Sequence, residues 1–211
     1  IGGGVIHAEA GEEVLKLAET ADIPVTWTLL GASSFPSNHP LALGMLGMHG
    51  TAYSNMAVDE CDLLISVGAR FDDRVTGKLS EFAKYAKIVH IDIDPTAIGK
   101  NVPVDVPVVG DAKQVLQEVN KLVKRQKRSL WEKRIDRLKK DMPLTFETTE
   151  GGPIKPQEAI ITLSEEAGDG AIYTTEVGQH QMWAAQYIQV SFPRQFISSG
   201  GLGTMGFGFP A

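Results

Sequence analysis

The chain has 211 residues, 43% of them hydrophobic, which suffices for one large domain or for one domain and part of another. A net charge of -6, a pI near 5.4 and the absence of a basic stripe argue against nucleic-acid binding. No apolar run approaches the roughly 20 residues of a bilayer span, so no membrane contact is expected. The single cysteine, Cys61, cannot form an internal disulfide, which favours the cytoplasm or, in a eukaryote, a plastid or mitochondrion.

Strand-like and helix-like patterns alternate from residue 11 to about residue 127, as is typical of βαβ units. Helices are predicted at 11–21, 51–60 and 78–85 and from Asp111 onward, and strands at 23–29, 62–68, 87–92 and 106–109. The strands at 62–68 and 87–92 are continuous apolar runs, which predicts burial on both faces. The fold class is therefore predicted to be α/β, a Rossmann-like parallel sheet with helices on both faces.

The pattern changes after residue 128. A charged helix at 129–140 leads into a polar segment with proline and glycine, which predicts a linker over 129–155. From residue 156 a second α/β pattern begins, with helices at 157–166 and 179–188 and strands at 171–177 and 195–199. The predicted organisation is an α/β domain over 1–128, this linker, and the beginning of a second α/β domain over 156–211.

The ends of the predicted strands carry residues suited to ligand binding. In open parallel sheets ligands bind beyond the carboxyl ends of the strands. Glycine, an acid or an arginine occurs at five such places: 2–4, which would follow a strand before the chain start, 28–31, 68–70, 92–94 and 110–111. At any single place a tight turn is the simpler explanation, but the five together favour a nucleotide crevice.

The loop over 70–77 adds Arg70 and Arg74, which alternate with two carboxylates. Guanidinium groups can hold a diphosphate through paired hydrogen bonds, although mutual surface ion pairs explain the spacing equally well. A P-loop is excluded, since neither Gly77-Lys78-Leu79 nor Gly99-Lys100-Asn101 has its Ser or Thr and its earlier glycine. The sequence thus favours a nucleotide-type cofactor over a nucleoside triphosphatase.

Other patterns in the sequence give weaker evidence for a function. The G-x-G-x-x-G at 201–206 follows a predicted strand, but by itself it is a weak dinucleotide signal. Gly168-Asp169-Gly170 precedes its strand, which indicates a helix-to-strand turn rather than a magnesium site. The five histidines are scattered, and no nucleophile with a base can be argued. No catalytic residue and no metal ligand are therefore predicted within this chain.

Several longer segments carry a family resemblance. These are Leu46-Gly47-Met48-His49-Gly50-Thr51, the loop over 68–77, His90-Ile91-Asp92-Ile93-Asp94, the segment 176–183 and the closing segment 199–211. They resemble the catalytic subunit of acetolactate synthase, also called acetohydroxyacid synthase, over the whole length of the chain. The resemblance implies a thiamine-diphosphate enzyme with three α/β domains, of which residues 1–128 are the FAD-binding middle one.

The resemblance also implies the binding residues. Those for FAD would be Gly2, Gly3, Gly4, Thr28, Leu29, Leu46, Met48, His49, Gly68, Arg70, Asp72, Arg74, Val75, Asp92, Ile93, Gly110 and Asp111. Those near the thiamine diphosphate phosphates would be Val177, Gly178, Gln179 and His180, with Gly203 and Met205 supporting the aminopyrimidine. Those where the last domain meets the flavin would be Gln181, Met182, Gly200 and Gly201.

The parent enzyme implied by this resemblance condenses two pyruvates, or pyruvate and 2-oxobutyrate, with loss of CO2. The chain lacks the domain with the activating glutamate and the Asp and Asn motif for Mg, so it is expected to be an inactive fragment. A homodimer or homotetramer, with a regulatory small subunit, is the expected assembly. The rival hypotheses are a pyruvate oxidase or glyoxylate carboligase type of enzyme and a noncatalytic nucleotide-binding module.

Overall fold

The computed structural model describes residues 1–211 as an α/β chain with parallel strand pairing throughout. The helices are α1 (Gly3–His7), α2 (Gly11–Ala21), α3 (Ala52–Glu60), α4 (Asp73–Thr76), α5 (Ala112–Leu122), α6 (Ser129–Asp141), α7 (Pro156–Ala167) and α8 (Gln179–Tyr187). The strands are β1 (Val25–Trp27), β2 (Ala42–Met45), β3 (Leu63–Val67), β4 (Lys87–Asp92), β5 (Val106–Val109), β6 (Tyr173–Thr175) and β7 (Phe196–Ser198).

The first two residues join two groups of strands, β1-β2 and β3-β4-β5. The amino group of Ile1 donates to the carbonyl of Thr26 at 2.9 Å, and the N–H of Thr28 donates back to the carbonyl of Ile1 at 3.0 Å. On the other side, the N–H of Gly2 donates to the carbonyl of Val67 at 2.9 Å. The five strands of the first part therefore form one layer, and the predicted parallel arrangement is confirmed.

Both faces of this layer are covered. Because successive side chains of a strand point to opposite faces, Ile65 and Ile91 pack on the side of α2 and α5, in the largest apolar cluster. Leu64 and Ile88 pack on the other side, in a second cluster that includes Val58 of α3. The predicted burial of these strands from both sides is confirmed.

Helix α6 packs on the outside of this second side. Its Ile135 and Leu138 are buried against a group that includes Ala57 of α3. Its Arg134 adds two hydrogen bonds to the carboxylate of Glu60, the Nε bond being 2.7 Å long. The helix within the predicted linker is thus attached to the first part of the chain.

Several elements of the first part differ from the sequence prediction. The helix predicted at 78–85 is wrong: this segment forms successive turns, and Ala83 adopts a left-handed φ of 46°. Phe82 and Ala83 are buried in the second cluster, so tertiary packing overrides a weak helical pattern. Strand β2 was not predicted, because it is short and contains Gly44, whose φ is 77°. The predicted 70–77 loop also contains the single helical turn α4.

The last part of the chain contains the β6-β7 pair and helices α7 and α8. It is tied to the first part at Ser37, whose Oγ accepts from the N–H of Val190 at 2.8 Å and whose own N–H donates to the carbonyl of Val190 at 2.9 Å. None of the helices has both the length and the apolar character needed to cross a bilayer.

Candidate functional site

A cavity of about 810 Å³ opens at the carboxyl ends of β1 to β4, and only 11 of its 28 lining residues are hydrophobic. The predicted site residues that line it are Gly3, Gly4, Thr28, Leu29, Leu46, His49, Gly68, Arg70, Asp72, Arg74, Val75, Asp92, Val177, Gln181, Met182, Gly200, Gly201 and Gly203. The predicted residues that do not line it are Gly2, Met48, Ile93, Gly110, Asp111, Gly178, Gln179, His180 and Met205. One cavity therefore joins the two parts of the predicted site.

Another cavity, of about 890 Å³, lies between β1 and β3. Of the 32 residues that line it, 23 are hydrophobic. Phosphate groups need hydrogen-bond donors and positive charge, whereas an apolar lining penalises them. The polar cavity at the strand ends is therefore the candidate site.

Glycines at the start of α1 pack against the glycine that follows β3. The N–H of Gly4 donates to the carbonyl of Gly68 at 3.1 Å, and Gly68 has a left-handed φ of 58°. A Cβ on Gly2 would lie 2.3 Å from that same carbonyl oxygen. Glycine is needed at these positions for backbone packing alone, and this packing brings the start of α1 against the end of β3.

A buried aromatic residue anchors the arginine loop. Phe71 adopts a left-handed φ of 53°, and its ring is buried with edge contacts to His90 at 4.9 Å and Phe82 at 5.8 Å between centroids. The side-chain amide of Asn101 donates to the carbonyls of Arg70 and Phe71, at 3.2 and 2.9 Å. This strained but supported turn buries Phe71 and leaves Arg70 at the surface of the cavity.

The two guanidinium groups of this loop are weakly engaged within the chain. Arg70 has one contact, at 3.4 Å, with the Asp72 carboxylate, and its side chain is 68% exposed. The guanidinium group of Arg74 has one polar contact, in which its Nη1 lies 3.9 Å from the sulfur of Met48. The Oδ1 atom of Asp72 instead accepts from the N–H groups of Arg74 and Val75 and caps α4. An exposed pair at this distance is weak, so both arginines are available to an anion.

The loop over 46–50 lies between α4 and α8. The N–H of Met48 donates to the carbonyl of Arg74 at 2.8 Å, which ties this loop to the arginine loop. From the other direction, the side-chain amide of Gln186 donates to the carbonyl of His49 at 2.7 Å. His49 lines the cavity, while the side chain of Met48 is 63% exposed beside it.

The acidic residues after β4 and β5 are placed differently. Asp92 and Asp94 line the cavity, and Asp92 Oδ1 accepts from the N–H of Asp94 at 2.9 Å. Hydrogen bonds from Thr96 lower the pKa of Asp94, which keeps its carboxylate charged. Asp111 lies outside the cavity, where its Oδ1 accepts from the N–H of Gln114 and caps α5.

His90 lies beneath Asp92 and is completely buried, with no hydrogen-bond partner for either ring nitrogen. Its Nε2 is 3.9 Å from the Asp92 carboxylate, too far for a hydrogen bond. Burial lowers the pKa of His90, so the ring is neutral at neutral pH. His90 supports Phe71 and the base of the acidic edge without facing the cavity.

The C-terminal part closes one side of the cavity. The side chain of Gln181 is buried and donates to Ser198 Oγ, which also shares a 2.7 Å hydrogen bond with the hydroxyl of Thr175. Gly200 packs on Leu29, whose nearest side-chain carbon would lie 3.1 Å from an added Cβ. The hydrogen bonds tie α8 to β6 and β7, and the Gly200 contact places the segment after β7 against a loop of the first part.

The start of α8 lies beside the cavity, next to the lining residues Val177 and Gly203. The N–H groups of Gln179 and His180 have no backbone partner and no side-chain cap, so they are open to an anion, whereas the N–H of Gln181 donates to the carbonyl of Gly178 at 3.1 Å. Gly203 lies next to Val177, since an added Cβ would be 3.9 Å from Val177 Cγ1. Both carboxylate oxygens of Glu176 accept from the glycine turn, at the N–H groups of Gly206 and Gly208.

Comparison with known proteins assigns the family. Residues 1–119 match the family model described as "Thiamine pyrophosphate enzyme, central domain", and residues 176–211 match "Thiamine pyrophosphate enzyme, C-terminal TPP binding domain". The chain belongs to the thiamine pyrophosphate enzyme family. The predicted family membership is thus confirmed, with both matches in the predicted order.

Among curated thiamine pyrophosphate enzymes, similarity extends over 100% of the chain. The chain is 51% identical to a probable acetolactate synthase large subunit of Methanocaldococcus jannaschii and covers 37% of that protein. It is 51% identical to the chloroplastic acetolactate synthase 1 of Zea mays, covering 34%, and 50% identical to the acetolactate synthase of Arthrospira platensis, covering 38%. The chain therefore spans about a third of the length of these relatives.

Some residues that shape this site were not predicted from the sequence. Phe71 and Ser199 line the cavity, and Asn55 and Asn101 hold the loops from behind. Asp94, which belongs to the predicted strand end at 92–94, also lines the cavity. No sequence signal identifies the two asparagines, because their partners are backbone groups of segments that only the fold brings near.

Proposed function

We propose that the cavity at the strand ends holds FAD. The observation that carries this proposal is the position of Arg70 and Arg74, which stand at the cavity without a short ion pair and can bind the two phosphates of a dinucleotide. Asp92 is placed at the next strand end, where a carboxylate can accept hydrogen bonds from ribose hydroxyls.

We also propose that the start of α8 contacts thiamine diphosphate. The open N–H groups after Gly178 suit a diphosphate, and the neighbouring turn with Gly203 and Met205 suits the aminopyrimidine. Thiamine diphosphate supplies the electron sink for decarboxylation when it is bound. The residues of this chain bind and orient the cofactor, and Gln181, held by Ser198 near the start of α8, also lines the flavin cavity.

The third implied group, magnesium, has no ligand set here. No group of three or more His, Cys, Asp or Glu side chains is arranged to hold a metal ion. The carboxylate of Glu176 already accepts two backbone N–H groups. We therefore derive no role for magnesium from the residues of this chain.

The parent reaction is proposed from similarity to the acetolactate synthases together with this cavity. The complete enzyme would condense two pyruvates, or pyruvate and 2-oxobutyrate, with release of CO2 to form 2-acetolactate or 2-aceto-2-hydroxybutyrate. It would act in branched-chain amino-acid biosynthesis, in the cytoplasm or in an organelle. A homodimer or homotetramer with a regulatory small subunit is the proposed assembly.

The test of this proposal uses a grafted subunit, in which residues 1–211 replace the matching segment of the Methanocaldococcus jannaschii relative. With pyruvate, thiamine diphosphate, Mg and FAD, the grafted subunit should form acetolactate. The isolated chain should form none, because it covers about a third of its relatives. A folded graft that consumes glyoxylate but not pyruvate would contradict the proposal in favour of a glyoxylate carboligase.

A further inference from the structure

Asn55 uses both ends of its side-chain amide on one residue of another segment. It lies in α3, and its Oδ1 accepts from the N–H of Gly47 at 2.9 Å. Its Nδ2 donates to the carbonyl of Gly47 at 3.0 Å. Only one orientation of the amide satisfies both bonds, so the pair fixes the plane and position of the Gly47 backbone.

On its opposite side, Gly47 presses directly on the arginine loop. Its φ is 99°, and an added Cβ would lie 2.3 Å from the carbonyl oxygen of Arg74 and 2.9 Å from Val75 Cα. The next residue, Met48, donates its N–H to that same Arg74 carbonyl at 2.8 Å. The backbone of Gly47 is therefore held between the side chain of Asn55 and the backbone of Arg74. A movement of the Asn55 side chain would change the position of Gly47 and, through it, that of Arg74.

Both loops that meet at Gly47 line the candidate cavity. Leu46 and His49 come from one loop, and Arg74 and Val75 come from the other, whereas Asn55 lies behind them and outside the lining. We propose that Asn55 is a positioning residue for FAD binding, acting through Gly47 to place His49 and Arg74. This inference rests on the proposed FAD site.

A matched control exists in the same part of the chain. Asn120 lies in α5, and its Nδ2 donates to the carbonyl of Glu13 in α2 at 3.0 Å, away from the cavity. Asn55→Ala removes two tertiary side-chain to backbone hydrogen bonds from a helix, and Asn120→Ala removes one. A merely structural role of Asn55 would make the two variants alike in their effect on FAD.

The first readout needs no cofactor. Amide hydrogen exchange, measured by NMR on residues 1–211 without FAD, should be faster at Gly47 and Met48 in Asn55→Ala and unchanged there in Asn120→Ala. Asn55→Asp keeps the acceptor for the Gly47 N–H and loses only the donor, so it should show a smaller acceleration. Asn55→Asp also replaces Asn55→Ala as the test variant if Asn55→Ala fails to fold.

The second readout is FAD titration of the grafted subunit by flavin fluorescence. Loss of the two hydrogen bonds should raise the FAD Kd about tenfold in Asn55→Ala, less in Asn55→Asp, and less than about twofold in Asn120→Ala. Equal FAD affinity in wild type and Asn55→Ala, or an equal loss in Asn120→Ala, would overturn the positioning role alone. Absence of FAD binding by the wild-type graft would overturn the proposed flavin site itself.

Discussion

A methyl group on Gly4 would lie 2.6 Å from the Cα of Gly68, so these two residues pack backbone against backbone. This contact sets the distance between the start of α1 and the end of β3, which form the base of the candidate cavity. Its consequences can be measured without a ligand.

Gly4→Ala should destabilise the chain by about 1–3 kcal/mol, because rigid backbone atoms must move to admit the methyl group. Gly170→Ala is the control, since an added Cβ there has no neighbour within 4 Å and the residue has no positive φ. It should be neutral or slightly stabilising. Urea unfolding of both variants measures the difference, and equal stability would contradict the close contact.

Helix α6 should contribute to folding mainly through its apolar side. Ile135→Ala should cost about 2–5 kcal/mol of unfolding free energy, the range for a buried aliphatic truncation. Arg134→Ala should cost only about 0–1 kcal/mol, because its pair with Glu60 is partly exposed. If the arginine variant proved the more damaging in urea titrations, this packing account of α6 would be wrong.

His90 should make stability depend on pH. Burial lowers its pKa in the folded chain below the usual 6.5, so the unfolded chain binds more protons as the pH falls. Its contribution is therefore full above about pH 6.5 and is lost below it. Between about pH 7.5 and about pH 5.5, wild type should lose more unfolding free energy than His90→Phe. Parallel pH profiles for the two proteins would rule out this role.

Cys61 should be an unreactive thiol. Burial, with smaller contributions from nearby Asp62 and Asp59, raises its pKa to about 11. Because the thiolate is the reactive species, iodoacetamide at about pH 8 should label folded chain much more slowly than chain unfolded in urea. Mass spectrometry measures the labelled fraction. Equal rates in the two states would show that the thiol of Cys61 is accessible and would contradict its burial.

The sequence predicted the parts of the fold whose pattern is local. Continuous apolar runs identify β3 and β4, and Asp111 was correctly predicted at the start of α5, where it is the N-cap. Prediction from the sequence failed where tertiary packing determines the backbone conformation. The buried residues Phe82 and Ala83, for example, lie in turns rather than in a helix.

The residues of the candidate site likewise fall into those that could be predicted from the sequence and those that could not. Its glycines and arginines could be placed at strand ends, because the carboxyl edge of a parallel sheet follows from strand order. The contacts that shape the loops could not, since Asn55 and Asn101 bind backbone groups of remote segments. The left-handed conformation of Phe71 also has no sequence signature, because bulky residues rarely adopt it.

The most direct measurement of the central claim is FAD titration of the grafted subunit, in which neighbouring domains can help to enclose the flavin. Arg70→Ala and Arg74→Ala should each weaken FAD binding by about 1.5–3 kcal/mol, the range for hydrogen bonds to charged groups. Arg137→Ala is the control, because Arg137 pairs with Asp141 on the surface of α6. Unchanged affinity in both Arg70→Ala and Arg74→Ala would show that this loop is structural and would contradict the flavin site.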